Sequence, residues 1–233
     1  MEKLDQRLAA AAGFVREGTV AVDVGTDHGY LICSLIKNRI CRKAYATDIN
    51  EKPLQAAQKL IEELELGDRI ETRLTDGLEG LPGKEIEEII ICGMGGETIL
   101  GILDRCSWIK NERVHLILQP MSRADMLRRF LCEEGFRIDE EKAVEAEGHL
   151  YTVMSVYYDG GGETPDEIYA LLGELPNAPD ETAIKYMRWQ ARIQRSVAEG
   201  LKRSSSGKES ALRYLTLADM IDEQADEMEK KDE

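Results

Sequence analysis

A chain of 233 residues with a formal net charge of −15 can bury one substantial core and a smaller appendage, and its charge excludes indiscriminate nucleic-acid binding, which leans on a positive field. No apolar run approaches the roughly 18 residues of a membrane span. Five scattered cysteines form no C-x-x-C pair and three histidines lack ligand spacing, so a cytoplasmic protein with reduced thiols and no built-in metal is expected.

The N-terminal "MEKLDQRLAAAAGFVREG" is amphipathic, carries acids and lacks a cleavage-site pattern, which predicts a helix and not a signal peptide. Strand patterns follow at 19–24, 43–48, 69–74, 87–92 and 114–119. Those at 87–92 and 114–119 are short, apolar and β-branched, as strands covered on both faces are. Helical patterns lie between most of them, including "PLQAAQKLIEELEL", where Pro53 suits a first turn. This alternation predicts an α/β fold with a largely parallel sheet and helices on both faces. Strands at 136–147 and 149–158 adjoin through Gly148 alone, which predicts an antiparallel pair and a mixed sheet.

"DGGGETP" (159–165) breaks the pattern and predicts a boundary between domains at 1–160 and 161–233. Beyond it helix is expected at 165–174, from about 180 to 203, and at 208–230. The "SSSG" between the last two suggests an antiparallel helical hairpin.

Ligands of open α/β sheets bind beyond the C-terminal strand ends, where strand order reverses. The first strand leaves through "DVGTDHGYL": Asp23, Gly25 and Gly29 form D-x-G-x-x-x-G, without the third spaced glycine of a dinucleotide fold or the lysine of a P-loop. Such a turn suits a ligand with little phosphate charge. Asp48, at the end of the second strand, can take both ribose hydroxyls, and Asp76, at the end of the third, stands where an adenine amino group would lie. The trio fits S-adenosylmethionine. Turn geometry alone is the alternative for the glycines, and solvated loop or capping roles are the alternative for the acids.

"DVGTDHGYL", "ATDINEKPL", "TDGL", "ICGMGGETI" and "LQPM", in that order, resemble the bacterial tRNA (adenine-22-N1)-methyltransferase family. The resemblance extends to "QRLAAAAGFV" and "ALLGELP", and so covers nearly the whole chain. It implies a Rossmann-like class I methyltransferase sheet with its last strand antiparallel, a small C-terminal coiled-coil-like helical domain, and methyl transfer from S-adenosylmethionine to N1 of adenine 22 in tRNA. It implies cofactor contacts from Asp23, Gly25, Thr26, Gly29, Asp48, Ile49, Asp76, Gly77 and Gly93. It also implies substrate contacts from Met94, Gly95, Gly96, Gln119 and Pro120. Gly29, Ile32 and Met121 stand where the family more often has Ala, Pro and Asn. Met121 can only pack where Asn could contact a base or cofactor edge.

Adenine N1 can attack the sulfonium methyl directly, so the enzyme's main task is in-line positioning with water excluded. The product ring is cationic, and a nearby carboxylate can stabilise it or take a proton from the exocyclic amine. Asp27 is the candidate for that role, His28 for orienting it or stacking on the base, and Tyr30 for offering a ring to the base. A turn-capping acid, a buried structural histidine and helix-start packing are the respective alternatives. Glu97 reads as a helix cap and Cys92 as a buried core residue.

A flipped base must be held by backbone contacts elsewhere. At about 100° per residue, Lys185, Arg188, Arg192, Arg195, Lys202 and Arg203 share one helix face. Tyr186, Trp189, Ile193, Val197 and Leu201 lie opposite, flanked by Met187 and Ala198. Residues 183–213 carry net +6, which marks a tRNA-binding stripe; a solvated face, partly neutralised by the eight acids of 214–233, is the alternative. The strand-end acids favour an enzyme. Action on another nucleic acid or a small molecule, and a cofactor-binding sensor signalling through its helices, stay open, as does the oligomeric state.

Overall fold

The computed structural model describes residues 4–178, 180–202 and 208–232. Seven strands form one sheet: β1 (Thr19–Val24), β2 (Cys41–Asp48), β3 (Ile70–Leu74), β4 (Glu88–Met94), β5 (His115–Pro120), β6 (Phe136–Ala146) and β7 (His149–Tyr158). Their order is β3-β2-β1-β4-β5-β7-β6. β1 to β5 run parallel, and β7 enters antiparallel between β5 and β6. The last strand is thus the antiparallel one, as expected, and strand order reverses between β1 and β4.

Period-two alternation sends Val20, Val22 and Val24 of β1, with Ile89 and Ile91 of β4, to one face of the sheet. They pack under α4 (Gly96–Asp104) and α5 (Ala124–Glu133). Ala21, Ile90 and Ile117 point the other way, toward α1 (Gln6–Phe14), α2 (Tyr30–Lys37) and α3 (Glu51–Glu63). Both faces of the central strands are therefore dry, which is why their sequences read as continuous apolar runs. Pro53 falls in the first turn of α3, as expected.

After β7 come α6 (Glu167–Leu172), a 3₁₀ turn at Leu175–Asn177, α7 (Glu181–Leu201) and α8 (Lys208–Asp232). Arg128 of α5 is fully buried. It pairs with the equally buried Glu141 of β6 at 2.7 Å and donates to the carbonyls of Ala170 and Leu171 at 2.9 Å. Glu141 also accepts from Thr152 and the amide of Glu174. This buried network anchors the start of the helical segment to the sheet, because leaving any of its members unpaired would cost several kcal/mol.

The α7 face expected to dock does so only in part. The seam runs through Ala183, Ile184, Tyr186, Met187, Ala191, Gln194 and Ala198, so the expected Tyr186, Met187 and Ala198 are buried, while Trp189 and Ile193 are half-buried and Val197 is exposed. Two neighbours explain the shift: α7 packs on α8 and also against β6 and β7, so its buried arc is wider and rotated relative to a single stripe. The "SSSG" turn and Arg203 lie outside the described residues. Among the described residues no helix is long and apolar enough to cross a membrane.

Candidate active site

The C-terminal ends of β1 to β5 open into a cleft of about 650 Å³ at the point where strand order reverses. It gathers Asp23, Gly25, Thr26, Asp27, His28, Tyr30, Asp48, Ile49, Asp76, Gly77, Gly93 and Met94, residues scattered over 72 positions of sequence. Its floor is the turn after β1. The amides of Gly25 and Thr26 both donate to the carbonyl of Thr47, at 2.8 and 2.9 Å, which pins that turn to β2. Gly25 has a φ of 73°, a left-handed backbone that glycine adopts without strain, and a Cβ there would push the end of the Met94 side chain aside. Asp23 is buried and accepts from the Thr26 hydroxyl at 2.7 Å. Burial pushes its carboxyl up to about 6; the Thr26 hydrogen bond opposes that rise and the charge of Asp48 adds to it.

Asp48 is also buried, with Oδ1 accepting from the Asn50 amide at 2.8 Å. Oδ2 has no partner among the described residues and can accept from a ligand. Ile49 beside it is 63% exposed, an apolar surface suited to one face of a planar base. Asp76 is half-exposed and bonded to Arg105 at 3.0 Å through Oδ1, which leaves its other oxygen available.

At the mouth, Asp27 and His28 are 70% and 53% exposed, with His28 Nε2 3.7 Å from the Asp27 carboxylate. His28 stacks on Tyr30 at 5.5 Å between centroids. His28 is therefore not the buried structural histidine of the alternative reading. Asp27 caps no helix: Gly29 is the N-cap of α2. Asp27 sits in the left-handed region at φ 50°, which Asp and Asn tolerate better than most residues.

Several expected contacts take another form. Gly29, at φ 74°, does not line the cleft; a Cβ there would lie 3.0 Å from that of Ala57, so its task is the α2–α3 approach. Gln119 is buried and its amide is engaged within the protein: Oε1 accepts from the Gly93 amide (3.1 Å) and from Arg7 (3.2 Å), and Nε2 donates to the Pro120 carbonyl (3.0 Å). It is a bracket and not a free substrate contact. Gly95 is the N-cap of α4, and the Gly96 amide donates to the Ser122 carbonyl. Glu97 pairs with Arg123 at 3.2 Å instead of capping α4. Cys92 is half-buried and lines the cleft, a correction to its expected place in the core; burial raises its thiol well above the ordinary range.

Arg7, Thr98 and Met121 line the cleft as well. Arg7 could not be foreseen from spacing, because α1 folds back over the ends of β4 and β5 from the far end of the sequence. Among the described residues no group of acids, histidines or cysteines is spaced to hold a metal ion.

Met121 is also a wall of a second trough of about 1000 Å³, between the β6–β7 turn and α7, lined by His149, Tyr151, Lys185, Arg188, Trp189 and Arg192 among others. The basic stripe is divided there. Arg188 bonds Asp222, Asp226 and Glu229, and Arg195 bonds Asp219 and Asp222, all on α8. Lys185 pairs with Glu181 at 2.9 Å and lies 3.9 Å from Glu145. Arg192 is exposed and has no ion-pair partner among the described residues. The expectation of four free cations is thus corrected: two of them hold the helices together.

An open sheet with a cleft at its switch point, acids at three strand ends and no phosphate cradle defines a Rossmann-like domain built for a nucleoside ligand. The family model for a methyltransferase domain matches residues 4–154, and the chain belongs to that family. The tRNA (adenine(22)-N(1))-methyltransferase of Bacillus subtilis (strain 168) is 29% identical over 225 residues, covering 94% of each chain. A Streptococcus pneumoniae protein solved in complex with S-adenosyl-L-methionine superposes with a TM-score of 0.80 at 29% identity, over 94% of this chain and 99% of that one. TrmK of M. capricolum, in complex with S-adenosyl-homocysteine, superposes with a TM-score of 0.77 at 25% identity, over 98% and 99%.

Proposed function

We propose that this protein transfers the methyl group of S-adenosylmethionine to N1 of adenine 22 in tRNA. The observation that carries the reading is the cleft itself: buried Asp48 with one carboxylate oxygen open, beside exposed Ile49 and Asp76, with no cradle for a phosphate. Those acceptors and that apolar surface fit an uncharged ribose and an adenine. Asp48 would hold the ribose hydroxyls, Ile49 one face of the adenine ring, Asp76 its amino group, and Asp23 the cationic amine of the amino-acid moiety. When bound, the cofactor supplies a methyl group activated by a cationic sulfur.

The chain's own residues then have three tasks. The turn after β1 and the Gly93–Gly95 segment leave room for the target base beside the cofactor pocket. His28 and Tyr30, stacked at the mouth, offer ring surface to that base and exclude water. Asp27 faces the ring as it becomes positively charged, stabilising it or accepting a proton from the exocyclic amine. Its exposure keeps the carboxylate ready, and among the described residues His28, 3.7 Å away, is its one ion-pair neighbour.

Residues 161–233, taken as a helical domain, would hold the tRNA body along the trough that shares Met121 with the cleft. Lys185 and Arg192 supply the charge and Trp189, Tyr151 and His149 supply ring faces for unpaired bases. A tRNA modification enzyme of this kind works in the cytoplasm. Mass spectrometry of nucleosides in tRNA from a strain lacking the gene tests the assignment. Loss of 1-methyladenosine, restored by the gene, is expected; unchanged 1-methyladenosine would overturn it.

A further inference from the structure

Beside the trough, a crevice of about 290 Å³ lies between the β5–α5 loop, β7 and α7. It shares Leu150, Tyr151 and Trp189 with the trough, and it meets both trough and cleft at Met121. Its walls are largely apolar and aromatic: Leu150, Tyr151, Leu171, Tyr186, Trp189 and Ile193. The Tyr186 and Trp189 rings meet edge to face at 5.4 Å between centroids. Arg123, which also lines the crevice, is held by Asp125 at 3.3 Å and Glu97 at 3.2 Å. Among the described lining residues no cation is left for a phosphate or a carboxylate. The volume stands at the small end of ligand pockets and suits one neutral ring system.

Two glutamines one turn apart on α7 line the same crevice. Gln194 is only 6% exposed. It sits in the seam between Ala191 and Ala198, and its amide has no hydrogen-bond partner among the described residues. Gln190 donates from Nε2 to the Tyr186 hydroxyl at 3.0 Å, and its Oε1 has no partner among them either. Burying an unbonded amide in an apolar seam is destabilising, and an apolar side chain would pack there without that cost. An amide carries a donor and an acceptor side by side in one plane, which matches the edge of a nucleobase. The rings beside it supply a stacking face.

We infer that this crevice takes a second unpaired base of the RNA substrate, an assignment that rests on the tRNA reading above. Gln194 and Gln190 bond the edge of that base, and Trp189 stacks on its face. Extruding the target adenine costs stacking and pairing. A second base captured next to the cleft offsets part of that cost and fixes the strand beside the reacting ring. The neutral lining takes the base, while Lys185 and Arg192 in the adjoining trough meet the phosphates.

Gln194→Met in the full chain keeps the side-chain length and removes the amide. With an unmodified tRNA transcript it should raise KM by at least about fivefold, with kcat and S-adenosylhomocysteine affinity each within about twofold. The unfolding midpoint should hold or rise, because the unbonded amide is gone. A lower midpoint with unchanged KM would make Gln194 a structural member of the seam and overturn the assignment. Unchanged KM with an unchanged midpoint would overturn it as well. A second measurement reads the crevice directly. Trp108→Phe leaves Trp189 as the one tryptophan, and S-adenosylhomocysteine at saturation fills the cleft. The transcript should then quench Trp189 emission, and adding Gln194→Met should weaken that quenching in step with KM. Quenching by millimolar adenosine, guanosine, cytidine or uridine but not by the transcript would give the crevice to a free nucleoside and overturn the RNA assignment. If the wild-type chain neither bound nor methylated the transcript, the tRNA reading itself would fall. If it did both and Gln194→Met matched it in KM, this inference alone would fall.

Discussion

The two ends of the sheet each carry a polar cluster with a histidine and carboxylates, and they differ in how much bonding capacity is left over. At the N-terminal end, Glu88 receives Arg16 at 2.5 Å and His115 Nδ1 at 2.7 Å, and His115 Nε2 meets Ser155 Oγ at 2.8 Å. Arg16 also donates to the carbonyls of Glu87 and Arg113, and His115 stacks on Tyr157 at 4.5 Å. Ser155, His115 and Glu88 have the residue types of a nucleophilic triad, yet all three are buried and their bonds close on one another. At the C-terminal end, Asp27 and His28 are exposed and Asp48 keeps an open oxygen. Residue type alone would nominate either end. Unused valence at an accessible place separates a site from a staple.

The largest effect expected from this contrast is at the closed end. Glu88→Ala takes the Nδ1 partner from buried His115 and one of three acceptors from Arg16, and should cost about 3 kcal/mol in denaturant unfolding, while the folded fraction keeps its methyl-transfer rate within about twofold. Next, at the open end, Asp27→Asn keeps a residue suited to the left-handed backbone and should lower methylation by about 10²-fold, with near-normal cofactor affinity in calorimetry. A loss confined to cofactor binding would put Asp27 in the cofactor pocket instead. Asp48→Ala should then weaken cofactor binding by about tenfold or more, since charge-assisted hydrogen bonds are worth roughly 1.5–3 kcal/mol each; wild-type affinity in the variant would remove Asp48 from the site.

A smaller effect follows from Asp23. Its carboxyl in the folded protein titrates near 6, above the ordinary carboxylate range, so the group favours folding most at low pH and that contribution is lost as pH rises through about 6. Binding a cationic amine favours the ionised form. Cofactor affinity should therefore fall as pH drops through 6, and Asp23→Asn should be weaker at neutral pH with a flatter profile. In the trough, reversing Lys185 and Arg192 to Glu should reduce the slope of log tRNA affinity against log salt by about 0.7–0.9 for each phosphate no longer neutralised. Reversing Arg188 and Arg195 should instead loosen α7 from α8, visible in the unfolding midpoint.

The same distinction explains what could be read from sequence. The central strands were legible because both faces are dry, and the acids and glycines at successive strand ends were legible because topology brings strand ends together. Arg7 was not, since its place depends on α1 crossing the sheet to reach β4 and β5. Nor was the fate of the basic stripe. The wheel put Arg188 and Arg195 on the face of Lys185 and Arg192, but a helix buried on two sides turns part of any stripe toward a neighbour, and α8 meets it there with Asp219, Asp222, Asp226 and Glu229. Gln119 entered as a substrate contact through the resemblance, and its place as a bracket was not legible, because only the fold shows that both ends of its amide are occupied.

The central claim is that the open end of the sheet methylates N1 of one tRNA adenine. It is tested most directly with the purified chain, S-adenosylmethionine and an unmodified tRNA transcript, by nuclease digestion and mass spectrometry of the product nucleosides. 1-Methyladenosine is expected from the transcript with adenine at position 22 and none when guanine replaces it. N6-methyladenosine as the product, or equal methylation of both transcripts, would contradict it.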